Sequence, residues 1–278
     1  RGARAASGNS PAPRIVKPPP ATDPASRSSP PQVAVIYYSR NGRLVTLANI
    51  IAEGIRQVRR APPRPAPSPA SRSRDRSLTL SRLDVSLTSP RRFSDPQVEG
   101  ADVTVYRVKD PIAGDDCTLF DNGVRDAPVA IPEVVLQADC VVLGAPGRQG
   151  RVCAEMSFFL DSLRDFQING CLLKGKVGSA FTSVGEVGSG HGGHEGILQS
   201  FHSFFLQHGM LPVGVPPSPM MEVAPLATPL GTCMSGQSAA KEAPGSRLRS
   251  LSEEEVKLAY SQGEWASIIT KQLHDDGD

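Results

Sequence analysis

Long apolar runs are missing from this chain: no stretch approaches the roughly 18 residues of a membrane-spanning helix, so no transmembrane segment is expected. Paired cysteines are missing as well. The five cysteines, Cys117, Cys140, Cys153, Cys171 and Cys233, are odd in number and widely spaced, with no C-x-x-C pair. That pattern argues against a disulfide framework or a zinc site and for free thiols in a reducing compartment. An excess of either charge is lacking too, the formal net charge being +2 from 30 basic and 28 acidic residues.

Hydrophobic residues make up 39% of the chain, fewer than is usual in a globular protein, and the shortage is local. Residues 1–31 contain eight prolines, five basic residues and one acid, Asp23. Residues 59–96 contain seven prolines, nine arginines and three aspartates. Neither stretch has hydrophobic periodicity, so neither buries enough apolar surface to offset its ordering entropy, and both are expected to be disordered. They carry +4 and +6, so a total of +2 leaves −8 on the remainder. An acidic folded body argues against a nucleic-acid-binding core, and no nucleic-acid partner is expected. The basic tracts read as solvated linkers or as surfaces for anionic partners. The chain opens on arginine, so its natural start is expected to be absent or processed. The composition of 1–31 fits either a transit peptide or an ordinary tail; Lys17 and Pro18–Pro20 favour a plastid over a mitochondrial type. The first alternative implies a chloroplast protein, the second a cytoplasmic one.

What is present is an alternation. Gln32–Ser39 reads as a buried strand, followed by a helix whose Leu44, Leu47, Ile51 and Ile55 form one apolar stripe. Strands are expected at Ala101–Val108, Asp139–Pro146, Lys176–Ser183 and Met210–Val215. Helices are expected on a Met156, Phe159, Leu160 and Leu163 stripe and over about residues 194–208. A last helix opens on a capping box, Ser252 with Glu255, and turns Val256, Ala259, Tyr260 and Ile268 or Ile269 inward. This order implies an α/β fold: a doubly wound, five-stranded parallel sheet of order 2-1-3-4-5 with helices on both faces. It would occupy residues 32–274, interrupted at 59–98 by the Arg/Pro/Ser-rich tract. Such a long structureless loop is unusual in a compact domain, so the tract reads as a surface insertion or as sequence outside the mature polypeptide.

Three loops follow strand carboxyl ends. In the first, Ser39, Asn41, Gly42, Arg43 and Thr46 stand where a strand passes into a helix, which suits either an anion site or a plain capping turn. In the second, Pro146 and Gly147 are expected to turn backbone groups outward, with Arg148 facing a ligand charge or solvent. The third, Thr182–Gly196, is rich in glycine, and its G-x-G-x-x-G pattern stands at the wrong strand for a dinucleotide fingerprint. His191 and His194, beside Glu195, lack a third ligand nearby, so a structural or ligand-orienting role is preferred to a metal site and no metal is expected.

The segments "VAVIYYSRNGRLVTLANIIAEGI", "ADCVVLGAPGRQG", "FFLDSL", "LLKGKVGSAFTSVG", "HGGHEGILQSFHSFFLQHGMLPVG" and "EVKLAYSQGEWASIITKQL" resemble, in order and spacing, the WrbA family of flavodoxin-like NAD(P)H:quinone oxidoreductases. The resemblance covers about residues 32–58 and 99–273. It implies FMN as cofactor, NADH or NADPH as electron donor and a quinone as acceptor, in a two-electron ping-pong reaction carried by the flavin. By analogy the phosphate sits on Ser39, Asn41, Gly42, Arg43, Leu44 and Thr46, and the ring lies against Pro146, Gly147, Arg148 and Gln149. Its other side meets Ser183, Val184, Gly185, Glu186 and Gly188, with His208 reaching over it. The family forms homotetramers with the site at subunit contacts. The departures are specific: Gly147, Gln149 and Arg151 replace threonine, an aromatic and asparagine, and Asn41 and Arg43 replace the usual residues of the phosphate turn. Phe166 and Gln167 stand where a pocket-walling tryptophan is usual, and Leu230 where an aromatic is usual; the lone tryptophan is Trp265. Phe166 and Leu230 are thus the expected substrate-pocket positions, in a pocket that has lost stacking worth about 0.5–1.5 kcal/mol per ring. The alternative is a non-catalytic flavodoxin-fold scaffold that binds flavin weakly or not at all.

Overall fold

The computed structural model describes residues 29–40, 42–57, 101–111, 126–184, 193–216, 228–235 and 251–275, with the Arg43 side chain excluded. Strand β1 (Gln32–Tyr37) is buried at all but its first residue, and α1 (Arg43–Arg56) follows it. Next come β2 (Asp102–Arg107), α2 (Pro132–Gln137) and β3 (Cys140–Arg148). A two-residue strand, β4 (Arg151–Val152), leads into α3 (Ala154–Asp161) and α4 (Arg164–Ile168). Then follow β5 (Val177–Val184), α5 (His194–Gln207), β6 (Leu211–Pro212), β7 (Thr232–Ser235) and α6 (Glu253–Asp275).

The parallel strands run in the order β2-β1-β3-β5, and β6 and β7 share the next position. β6 pairs with the start of β5 at Val177 and Gly178, and β7 pairs with its end from Phe181 to Val184. The architecture is therefore the expected flavodoxin-like one, with two differences. Its fifth strand is split, and β4 is an added antiparallel piece on β3. Neither α2 nor β7 is evident from the sequence pattern, since both are short.

Each sheet face is covered by its own core. Met156, Phe159, Leu163, Phe201 and Phe205 fill the face under α3 and α5. Leu47, Ile51, Ile55, Ala259 and Ala266 fill the face under α1 and α6. The apolar stripes expected on α1 and α3 are thus the buried ones. The capping box also forms: Ser252 N–H donates to Glu255 at 2.9 Å, and Glu255 N–H donates to Ser252 Oγ at 3.2 Å.

The inward face expected for α6 needs correction. Val256 is 37% exposed, and the buried stripe is Leu258, Ala259, Gln262, Gly263, Ala266, Ser267 and Thr270. Small residues are required because α6 crosses α1 closely. A Cβ added at Gly263 would lie 2.1 Å from the Ile51 carbonyl oxygen, and one at Gly54 would lie 2.2 Å from that of Tyr260.

Segments 1–28 and 58–100 lie outside the described residues; they contain the insertion and all but the last three residues, 29–31, of the expected transit segment or tail. No helix among the described residues is long and apolar enough to cross a membrane.

Candidate functional site

Parallel strands bring their carboxyl ends to one edge of the sheet, and there the first and second candidate loops and the start of the third converge. At the first, Ser39 is buried and its hydroxyl accepts the Leu44 N–H at 3.3 Å, which leaves the Oγ proton to donate outward. Gly42 caps α1 in a left-handed conformation (φ 76°) that favours glycine. The N-cap residue Gly42 has no side chain to bond the helix, and no acid stands in the first turn. Leu44 is buried and Thr46 is exposed. The amino end of α1 thus offers donors and a positive helix pole, with no counter-charge in its own first turn. Asn41 and the Arg43 side chain lie outside the described residues.

The second loop differs from expectation. Pro146 and Gly147 do not turn; they continue β3, Pro146 pairing with Ser183 and Gly147 with Val152. The turn lies at Gln149 and Gly150, whose φ values of 54° and 75° match the positive pair that a two-residue hairpin demands. Gly147 has a packing reason: a Cβ there would lie 2.4 Å from Ile197 Cδ1. Arg148 is partly exposed but not free. Its Nη1 lies 2.8 and 3.0 Å from the two carboxylate oxygens of buried Glu155, and its guanidinium sits 5.8 Å from the Tyr38 ring centre.

Tyr38, Asp110 and Glu155 are the residues that sequence reasoning missed. The Tyr38 hydroxyl lies 2.9 Å from Asp110 Oδ2 and 3.0 Å from Glu155 Oε1, all three groups buried. Burial, then the bonds to Asp110 and Glu155, drive the Tyr38 hydroxyl far above its ordinary pKa. Burial acts to raise the Glu155 carboxyl, but its backbone N–H, Arg148 and Tyr38 outweigh it and hold the group below the usual carboxylate value. The partners stand 72 and 117 residues from Tyr38 in sequence, so no local spacing reveals them.

Ser183 and Val184 end β5 at this edge and are buried. Gly185, Glu186 and Gly188 lie outside the described residues, as do His191 and Cys117. The four described cysteines are free, and burial pushes the Cys140 and Cys153 thiols up to about 12.

Three expected positions fall away from the edge. His208 follows α5, which starts against Gly150 at the carboxyl-end hairpin and spans about 21 Å for its 14 residues. It therefore ends beside the start of β5, where Gly175 N–H donates to the Gly209 carbonyl at 3.0 Å. His208 is buried there, its ring 4.3 Å from that of Phe204 and its Nδ1 without a partner among the described residues. Phe166 is buried in the core at the same end, next to Gln167, whose amide donates to the Gln207 carbonyl at 3.2 Å. Leu230 packs against the core partway along the sheet, its carbonyl 2.7 Å from His202 Nε2. None of these three walls a pocket over the site within one chain.

The family model for NADPH-dependent FMN reductase matches residues 88–219. An NAD(P)H dehydrogenase (quinone) of Chromohalobacter salexigens is 31% identical over 247 residues, covering 87% of this chain and 98% of that protein. The chain belongs to the NAD(P)H dehydrogenase (quinone) family. A second member, from Aromatoleum aromaticum, is 28% identical over 249 residues, covering 87% of this chain and 97% of its own. Among solved structures, a WrbA-like flavodoxin from Agrobacterium tumefaciens is similar at a TM-score of 0.48 and 14% identity, over 87% of this chain and 98% of that one. Membership of this dehydrogenase family agrees with the resemblance read from the strand and loop segments.

Proposed function

We propose that this chain is an FMN-dependent oxidoreductase that moves two electrons from NADH or NADPH to a quinone in alternating half-reactions, and that it does so as a homotetramer. The names of the relatives support the enzyme class, and the segment resemblance supports the alternation and the assembly. The structural observation that carries the reading is the amino end of α1, with its left-handed Gly42, its buried Ser39 donor and a first turn without an acid. These groups fit a phosphate dianion. FMN, when bound, supplies the chemistry of hydride acceptance and two-electron donation.

The protein's part is binding and orientation. The Ser39 hydroxyl and the helix amides would hold the phosphate. The main chain of Pro146–Gln149 and of Ser183–Val184 would flank the ring. The Glu155–Arg148 pair would fix a cation beside it. A second reading, a flavodoxin-fold scaffold without turnover, draws on the commitment of Phe166 to the chain's own core.

Anaerobic absorbance spectroscopy separates the two. The proposed enzyme takes up FMN, bleaches when NADH or NADPH is added, and recovers its colour with benzoquinone. A protein that stays colourless in excess FMN, or that binds FMN and never bleaches, supports the scaffold instead.

A further inference from the structure

A cavity of ≈ 960 Å³ beside the β3–β4 hairpin shares Arg148 and Gln149 with the flavin reading, which leaves the rest of its lining unused. One wall is a stripe of α3 at helical spacing: Ser157, Phe158 and Asp161. The hairpin closes one end with Arg148 and Arg151, and Ser200 of α5 faces in from the side. Arg148 is held by Glu155. Arg151 is exposed and has no ion-pair partner among the described residues.

Two features of this wall have no folding explanation. Phe158 is 63% exposed, although Met156 and Phe159 beside it are buried. Asp161, also exposed, is the last residue of α3, where the negative pole of the helix disfavours an acid. A cation, an exposed ring and an acid thus follow one another along the cavity. The α3 stretch from Ala154 to Asp161 spans about 10 Å. The cationic end adjoins the strand edge where the flavin ring is proposed to lie.

We propose that this cavity holds the ADP half of the dinucleotide donor, with Arg151 on the pyrophosphate, Phe158 stacked on adenine and Asp161 accepting from the ribose hydroxyls. The inference rests on the proposed function for the identity of the donor. The cation stands at the end nearest the flavin edge, where the pyrophosphate would lie, and Phe158 and Asp161, three residues apart on one helix, would hold the base and the ribose of the adenosine beyond it. A ribose 2′-phosphate would stand against the Asp161 carboxylate, so the donor is NADH rather than NADPH.

The test is calorimetric titration of the full chain with 5′-ADP and, in parallel, 2′,5′-ADP. The expected result is one saturable 5′-ADP site and binding of 2′,5′-ADP weaker by about tenfold. Arg151→Ala weakens 5′-ADP by about tenfold, and Arg151→Lys restores most of it. Asp161→Asn narrows the gap between the two probes. In turnover, Arg151→Ala raises KM for NADH and leaves kcat. Failure of 5′-ADP to bind, wild-type affinity in Arg151→Ala and Phe158→Ala, or tighter binding of 2′,5′-ADP would overturn the proposal. The titration contains no flavin. A chain that bleaches with NADH yet ignores 5′-ADP refutes this site and keeps the proposed function. A chain that binds 5′-ADP with the expected variant pattern yet never takes up FMN supports this site and refutes the flavin reading.

Discussion

Arg148 and Glu155, seven residues apart across the hairpin, meet with guanidinium nitrogen 2.8 and 3.0 Å from the two carboxylate oxygens. Glu155 is only 7% exposed at its side chain whereas Arg148 is 40% exposed, so the acid carries the greater desolvation cost. Arg148→Ala leaves that carboxylate with Tyr38 but no cation. The expected loss is about 1–2 kcal/mol of unfolding free energy, read from the denaturation midpoint. Glu155→Gln is expected to cost less, because an amide oxygen still accepts from both neighbours.

Gln262 is fully buried and joins three elements. Its Oε1 accepts the Thr232 N–H at 2.8 Å, and its Nε2 donates to Ser179 Oγ and the Ala180 carbonyl at 2.8 and 2.7 Å. It anchors α6 over the junction of β5 and β7. Gln262→Leu preserves volume and strands those backbone groups, so stability is expected to fall by about 2–4 kcal/mol in urea denaturation. A change below about 0.5 kcal/mol would mean that Gln262 contributes only packing.

The α1–α6 crossing makes a second demand. Gly263→Ala puts a methyl 2.1 Å from the Ile51 carbonyl oxygen, and backbone cannot yield as a flexible side chain can. The usual gain from removing a helical glycine is therefore reversed, and a loss of about 1–3 kcal/mol is expected in a thermal melt. A stabilised variant would show that the two helices lie further apart than described.

Burial of His208 lowers its pKa below the ordinary 6.5. The unfolded chain therefore binds the proton more readily, and stability falls with acidification from about pH 6.5 until the folded pKa is passed. Lost stability above pH 7 would have the wrong sign. His208→Phe removes this titration, so its melting temperature should hold steady between pH 7 and about 5.5, where the wild type declines.

The α1 and α3 stripes and the Ser252 capping box were legible because their determinants are local: apolar spacing in a helix, or two side chains three residues apart. The face of α6 was not. Periodicity counts large apolar residues, whereas a close crossing selects Gly263, Ala266 and Ser267 for their size. The hairpin at Gln149 and Gly150 escaped because its first turn residue is not one of those usual at positive φ. β7 escaped because four residues give no pattern. At the candidate site, Ser39 and Gly42 could be picked out from a strand–turn–helix motif, whereas Leu44 came only from the resemblance. The Tyr38–Asp110–Glu155 contacts could not, since only the fold brings those chain segments together. His208, Phe166 and Leu230 were assigned by analogy, and within one chain the direction of α5 and the core packing take them elsewhere.

The amino end of α1 is the feature on which the account turns, and comparing FMN with riboflavin tests it most directly, since the two differ only in the phosphate. In fluorescence titrations of the apoprotein, one FMN per chain should bind at least about 100-fold more tightly than riboflavin, and Gly42→Val should abolish most of that difference. Equal affinities for the two flavins, or a preference for FMN that survives Gly42→Val, would contradict a phosphate held at that turn.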